Sequence, residues 1–212
     1  IGDRNRGYAA DIRESGEHLL NIINEILDVS KAEAGMIELQ ESEVDLLSVI
    51  QSCLRLIRTK AAEGDLTVET RMPEEGVRLQ ADAQRLKQVL LNLLSNAVKF
   101  TEPGGRIEIV ARVTSDGGLA LEVRDTGIGM AAEDLERVME PFSQADTGFA
   151  RKHDGTGLGL PLARALVEHH GGSLTLDSRI GEGTTARVDL PAARVLAPTA
   201  AAAEARTYAA RA

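Results

Sequence analysis

Asn92, Asn96 and Lys99 stand at i, i+4 and i+7 in the run NLLSNAVKFT, from Asn92 to Thr101, so a helix there sets two amides and an ammonium on one face. Such a stripe can ligate a hard cation through amide oxygens and neutralise anionic oxygens with the ammonium. Magnesium keeps several waters and takes few protein ligands, so one or two amides suffice when phosphate oxygens fill the other positions. Leu90, Leu91, Leu93, Leu94, Val98 and Phe100 surround the stripe with packing residues, which sets it apart from a generic solvated face, its plain alternative. A second group is DTGIGM, from Asp125 to Met130, where a carboxylate ends an alternating strand ahead of Gly127 and Gly129. A fixed carboxylate there can accept from an exocyclic amine, and the glycines let a flat ring approach the backbone; a strand-end turn is the alternative. The third is HDGTGLGLPLARALVEHHGG, from His153 to Gly172, with Gly155, Gly157 and Gly159 alternating before an apolar helical pattern. Glycines at the mouth of a helix admit an anion, most often a phosphate, to unpaired N–H groups and the positive end of the dipole.

The elements that must hold these groups can be read from periodicity. Apolar positions Ile12, Leu19, Ile22, Ile23, Ile26, Leu27 and Val29 make one long amphipathic helix from Asp3 to about Glu33, too apolar along its stripe to face water without a helical partner. MIELQ reads as a short strand and Val44 to Ala62 as a helix with a stop signal at Gly64. Strand-like LTVET and VRLQ precede a helix from about Asp82, a plausible N-cap, to Lys99. RIEIVARV and LALEVRD alternate as two antiparallel strands around SDGG. A helix near 131–139, the glycine loop with its helix to His169, and strands GSLTLDS and TTARVDL complete the set. The expected architecture is α+β: two layers, with helices on one side of a mixed, mostly antiparallel sheet, preceded by one long bundle helix. The units read as 1–33 for the bundle helix, 34–192 for the body and 193–212 for an Ala-rich linker or frayed helix.

Composition narrows the function classes. A net charge of -9, only 2% aromatic residues and no Trp argue against a nucleic-acid surface or a base-stacking platform. A lone cysteine, Cys53, builds neither a disulfide framework nor a cysteine-rich zinc site and reads as a packing residue. No apolar run approaches ~18 residues and no leader pattern opens the chain, so the expectation is a cytoplasmic piece with no direct membrane contact, cut from a longer parent that is open to being membrane-anchored. Walker A spacing is absent, and GTGLGL differs from the dinucleotide fingerprint GxGxxG.

Taken in order, YAADIRESGEHLLNIINEILDVSKAEAG, NLLSNAVKFT, DTGIGM, EPFSQ and GTGLGL resemble a bacterial sensor histidine kinase from about Tyr8 to Pro191. The first stretch is similar to the second helix of the dimerisation and histidine-phosphotransfer hairpin. The others resemble the N, G1, F and G2 boxes of the Bergerat-type ATP-binding domain shared with gyrase, Hsp90 and MutL. The resemblance implies Asn96 as a magnesium ligand with Asn92 beside it, Lys99 on phosphate and Asp125 on the adenine amine. Gly127 and Gly129 would line the base, with Thr184 of GEGTT a base-side hydroxyl. Phe142 would anchor a lid running to Gly157, with Arg151 and Lys152 near the terminal phosphates; which of the two reaches in stays open. Gly155, Gly157 and Gly159, with Thr156 and Leu158 between them, would cradle the phosphates.

The implied activity is transfer of the γ-phosphoryl group of Mg-ATP to a histidine, and the implied partners are a second copy of the chain and a response-regulator receiver domain. The acceptor motif His-Glu-[Leu/Ile]-Arg-[Thr/Asn]-Pro is absent. His18 lies in the second-helix pattern, His153 beside the lid, and His169 and His170 before Gly171, where imidazolium suits a helix C-terminus. No catalytic residue is therefore assigned within the chain, and the acceptor is expected outside it. A nucleotide-sensing interaction module without phosphoryl transfer is the alternative. A water-activating ATPase needs a carboxylate where Asn92 stands, and an amide is no general base at neutral pH.

Overall fold

The structure, a computed structural model, describes residues 2–143 and 156–196. A long helix, α1 (Gly2–Glu33), leads into β1 (Ser42–Asp45), α2 (Leu46–Glu63), β2 (Thr67–Arg71), β3 (Arg78–Ala81) and α3 (Ala83–Phe100). Then follow β4 (Arg106–Val113), β5 (Leu119–Asp125), the short α4 (Ala132–Arg137), α5 (Gly159–His169), β6 (Ser173–Arg179) and β7 (Gly183–Leu190). A 3-10 turn at Ala192–Arg194 and the two-residue β8 (Val195–Leu196) end the described chain.

Five strands form the main sheet in the order β2-β4-β5-β7-β6. Only the β2–β4 pair is parallel; the others are antiparallel, as expected. Alternation decides the two faces. Ile107 and Ile109 of β4, Leu121 and Val123 of β5 and Val188 of β7 are buried in one core with Leu90 and Leu94 of α3 and Leu162 and Leu166 of α5. On the other face Glu122 of β5 lies almost fully buried beneath Arg112, Arg124 and Arg187 of three strands. Burial opposes ionisation of Glu122, but hydrogen bonds from Arg112 and Arg124 outweigh it and hold the carboxyl below the ordinary range.

Helix α3 starts where the sequence places its cap. The Asp82 carboxylate accepts from the Gln84 N–H at 2.9 Å and the Arg85 N–H at 3.0 Å. Burial acts against that charge, yet these bonds and one from the Gln40 N–H lower its pKa overall. The Gln40 bond also bears on why MIELQ is no strand: residues 36–41 have no regular secondary structure, Ile37 is buried, and Gln40 spends its N–H on a side chain rather than on a ladder. The strand is the next segment, β1, and α2 begins only at Leu46, because Asp45 turns its side chain onto the Leu47 N–H and the Ser48 hydroxyl.

A second sheet, β1-β3-β8, was not foreseen. It corrects the reading of the tail from residue 193, whose first residues belong to the fold. Val195 and Leu196 pair with β3, while Arg194 donates to the carbonyl oxygens of His170 and Gln80 and meets Glu41. His170 also departs from expectation. It is buried, accepts from the Asp82 N–H through Nε2 and holds the Leu166 carbonyl oxygen through Nδ1, so the ring is a neutral tautomer that joins α5 to α3 rather than a dipole-bound imidazolium.

Helix α1 rests on α5 through its C-terminal part. Val29 is buried there, and Asp28 accepts from Arg85 and Gln88 of α3 at 3.0 and 3.1 Å. Ile12, Leu19, Leu20, Ile23, Ile26 and Leu27 remain exposed. No helix among the described residues is long and apolar enough to cross a membrane.

Candidate nucleotide-binding site

The amide stripe forms as its spacing requires. Leu90, Leu93, Leu94 and Ala97 turn α3 into the core, and Asn92, Asn96 and Lys99 occupy the opposite, half-buried face. Asn92 donates through Nδ2 to the Gly159 carbonyl oxygen at 2.9 Å, which fixes the amide orientation and holds α3 against the first turn of α5. Asn96 is half-buried and makes no side-chain hydrogen bond among the described residues. The Lys99 ammonium lies 4.8 Å from the centroid of the Phe100 ring, a contact the stripe alone did not announce.

Asp125 ends β5 opposite Thr184 of β7. Its Oδ1 accepts from the Gly127 N–H at 2.9 Å and the Thr184 N–H at 3.2 Å. Its Oδ2 has no hydrogen-bond partner among the described residues. Burial pushes the Asp125 carboxyl above the ordinary range, and the two N–H groups offset this only in part. The result is a carboxylate clamped by one oxygen and presenting the other.

Gly127 and Gly129 are required by the packing of their own loop. A Cβ on Gly127 would lie 2.3 Å from the Phe100 carbonyl oxygen, and one on Gly129 only 1.8 Å from that of Arg179. Their missing side chains let this loop pack against α3 and the β6–β7 turn. The Ile128 N–H donates to Phe100 and the Ile128 carbonyl accepts from the Gly181 N–H, which ties the loop down on both sides.

At the glycine loop, Phe142 and Gly157 both have positive φ, and the Phe142 N–H donates to the Gly157 carbonyl at 3.2 Å. That bond brings together the two chain segments flanking 144–155, while the Phe142 ring is exposed. Arg151, Lys152, Gly155 and His153 lie outside the described residues. Thr156 accepts from the Leu158 N–H and donates to the Glu25 carboxylate at 2.9 Å, a link to α1 that nothing in the spacing announced. Leu158 is fully buried, and among the described residues no side chain caps α5 from Gly159; with the Leu158 N–H held by Thr156 and none on Pro161, the N–H groups of Gly159 and Leu160 are the ones an anion could meet.

Thr184 is half-buried, and its hydroxyl meets that of Ser178 on β6 at 2.8 Å. Ser178 is a site residue the sequence reading missed; only the β6–β7 register places it beside Thr184. Among the described residues no group of three or more His, Cys, Asp or Glu could hold a metal. A cation here would be held by amide oxygens and by its nucleotide, a donor set that fits magnesium and not zinc. Cys53 plays no part: it is fully buried, and burial pushes its thiol up to about 11 against the opposing influence of Lys87.

A two-layer α+β body with an amide stripe, a clamped strand-end carboxylate and an uncapped helix after a glycine loop defines a Bergerat-type ATP-binding domain. The chain belongs to the histidine kinase-, DNA gyrase B- and HSP90-like ATPase family, whose sequence profile matches residues 81–194. It is 44% identical over 202 residues to the histidine protein kinase DivJ of Caulobacter vibrioides, covering 95% of this chain and 33% of DivJ. Among solved structures it resembles full-length ShkA in complex with AMPPNP, with a TM-score of 0.80 at 32% identity over 92% of this chain and 40% of that one. It also resembles the histidine kinase ThkA in complex with response regulator protein TrrA, with a TM-score of 0.66 at 26% identity over 85% of this chain and 49% of that one. The chain thus spans about a third of the length of DivJ.

Proposed function

We propose that this chain is the ATP-binding catalytic part of a two-component sensor histidine protein kinase, which transfers the γ-phosphoryl group of Mg-ATP to a histidine outside these residues. The observation that carries the reading is the Asp125 carboxylate, clamped through Oδ1 and open at Oδ2, at the end of a sheet whose covering helices bring the Asn stripe and the glycine loop to the same region. Asp125 accepts from the adenine amine, with Thr184 beside it and Gly127 and Gly129 fixing the loop below. Thr156, Gly157, Leu158 and Gly159 offer the start of α5 to the phosphates, Lys99 adds positive charge, and Phe142 anchors the segment that contains Arg151, Lys152 and Gly155.

Asn96, whose amide has no hydrogen-bond partner among the described residues, and Asn92 beside it are the residues that would hold magnesium. When bound, the ion neutralises phosphate charge and orients the terminal group. The chain's own contribution is positioning, since phosphoryl transfer demands little covalent chemistry of the protein. Asn92 cannot activate water, being an amide already committed to Gly159, which favours transfer to a protein acceptor over hydrolysis.

A second copy of the chain pairs through the exposed stripe of α1, and a response-regulator receiver domain accepts the phosphoryl group. The charge of -9 speaks against nucleic acid as a partner, and the domain works in the cytoplasm. The test is calorimetric titration with ADP and a non-hydrolysable ATP analogue, each with and without magnesium. One magnesium-dependent site is expected for the analogue; a folded sample that binds neither would overturn the reading in favour of an interaction module without nucleotide chemistry.

A further inference from the structure

Three side chains form a row across the end of the sheet, on its helix-covered face. Asp125 on β5 stands opposite Thr184 on β7, and Thr184 stands opposite Ser178 on β6. Ser178 is buried, at 8% exposure, and its hydroxyl oxygen has three partners at 2.8 Å: the Met130 N–H, the Gly183 carbonyl oxygen and the Thr184 hydroxyl.

The proton count fixes who donates. A serine hydroxyl has one proton and two lone pairs. The Met130 N–H can only donate, so it occupies one lone pair; the Gly183 carbonyl can only accept, so it takes the proton. What remains for Thr184 is the second lone pair, and the Thr184 hydroxyl must donate into it. Thr184 Oγ1 then keeps only lone pairs for whatever approaches the row, beside the open Oδ2 of Asp125.

From this we infer that Ser178 is a specificity-determining residue of the base site: by taking the Thr184 proton it makes the Asp125–Thr184 edge a pair of acceptors that reads an amino group and refuses a carbonyl oxygen. The inference rests on the reading of Asp125 as the base-binding carboxylate. Asp125 alone favours an amine, but a threonine free to rotate would be indifferent, since its hydroxyl can turn to donate. Ser178 removes that freedom without touching the ligand, and specificity gained by refusing the wrong group needs such fixed polarity.

The experiment measures Kd by calorimetry for ADP and for inosine diphosphate, which carries a carbonyl oxygen in place of the 6-amino group, with wild type, Ser178→Ala and Ser178→Thr. Wild type should favour ADP. Ser178→Ala should narrow that preference by roughly tenfold, the worth of one neutral hydrogen bond, because Thr184 can then turn its proton toward the carbonyl. Ser178→Thr keeps the hydroxyl and should keep the preference. Loss of the Met130 and Gly183 contacts alone would weaken both nucleotides together and leave their ratio fixed, so an unchanged ratio in folded Ser178→Ala overturns the inference. Should that variant fail to fold, Ser178→Cys, with its weaker acceptor, replaces it; a narrowed ratio supports the inference and an unchanged one overturns it. A wild-type chain that binds neither nucleotide would instead overturn the nucleotide reading on which the inference stands.

Discussion

Replacing Asp125 with Asn separates binding from folding, and the hydrogen bonds around the carboxylate say how. The Gly127 and Thr184 N–H groups both donate to Oδ1, so an asparagine must keep its carbonyl oxygen there and place its NH2 where Oδ2 was. A donor then faces the donor amine of adenine. The variant loses a charge-assisted hydrogen bond and leaves two donors opposed, together about 3 kcal/mol, or roughly 150-fold in Kd. Stability should move the other way. Burial raises the Asp125 pKa in the folded state, so its contribution is favourable below the pKa of the unfolded chain and is lost as pH rises through the folded value. At neutral pH the charged group is therefore a net cost, and Asp125→Asn should melt at or above the wild-type temperature, the difference closing as pH falls toward about 4. Calorimetric titration with ADP and thermal melts at several pH values check both halves. An ADP affinity within about threefold of wild type would refute the base-binding role. A variant markedly less stable at neutral pH would refute the buried-charge argument.

Other perturbations have equally definite outcomes. Gly183→Ala places a Cβ 2.0 Å from the Asp125 carbonyl oxygen at a φ of +99°, and should cost about 2 kcal/mol or more in urea unfolding. Asp82→Ala removes the cap of α3 and the acceptor for Gln40, an expected loss of roughly 2 kcal/mol at pH 7. Because the folded pKa of Asp82 is lowered, its stabilisation is present above the unfolded pKa and vanishes as pH falls through the folded one, so acid titration of stability should be shallower in the variant. Asp28→Ala breaks the tie between α1 and α3 and should speed hydrogen exchange in the last turns of α1 about fivefold while leaving β5 and β7 protected.

The parts of the site that local spacing could declare were legible. Asn92, Asn96 and Lys99 share a face because a helix has 3.6 residues per turn, and Asp82 caps that helix because its side chain reaches the next turn. Asp125 at the end of an alternating strand was equally readable. What escaped depends on distant pairing. Ser178 joins Thr184 only through the β6–β7 register, and Glu25 meets Thr156 across 131 residues. The small sheet hid for another reason: β8 has two residues and β1 is largely exposed, so neither carries an apolar pattern. MIELQ misled because alternation records which side is buried, not whether a neighbouring strand is there to accept the N–H groups. His170 misled because its place at a helix end said nothing about the buried Asp82 N–H facing it.

Arg194 gives the body an unusual kind of closure. Its guanidinium touches Glu41, just after α1 has left the core, and the carbonyls of Gln80 and His170, while the next two residues complete the sheet that β1 begins. The start and finish of the folded body are thus buckled together, with His170 carrying the fastening on to the cap of α3. Arg194 thereby links the segment that follows α1, the last described strand and, through His170, the base of the helix that bears the amide stripe. Cutting the buckle, as Arg194→Ala would, should let the small sheet open ahead of the large one and turn a single unfolding step into two.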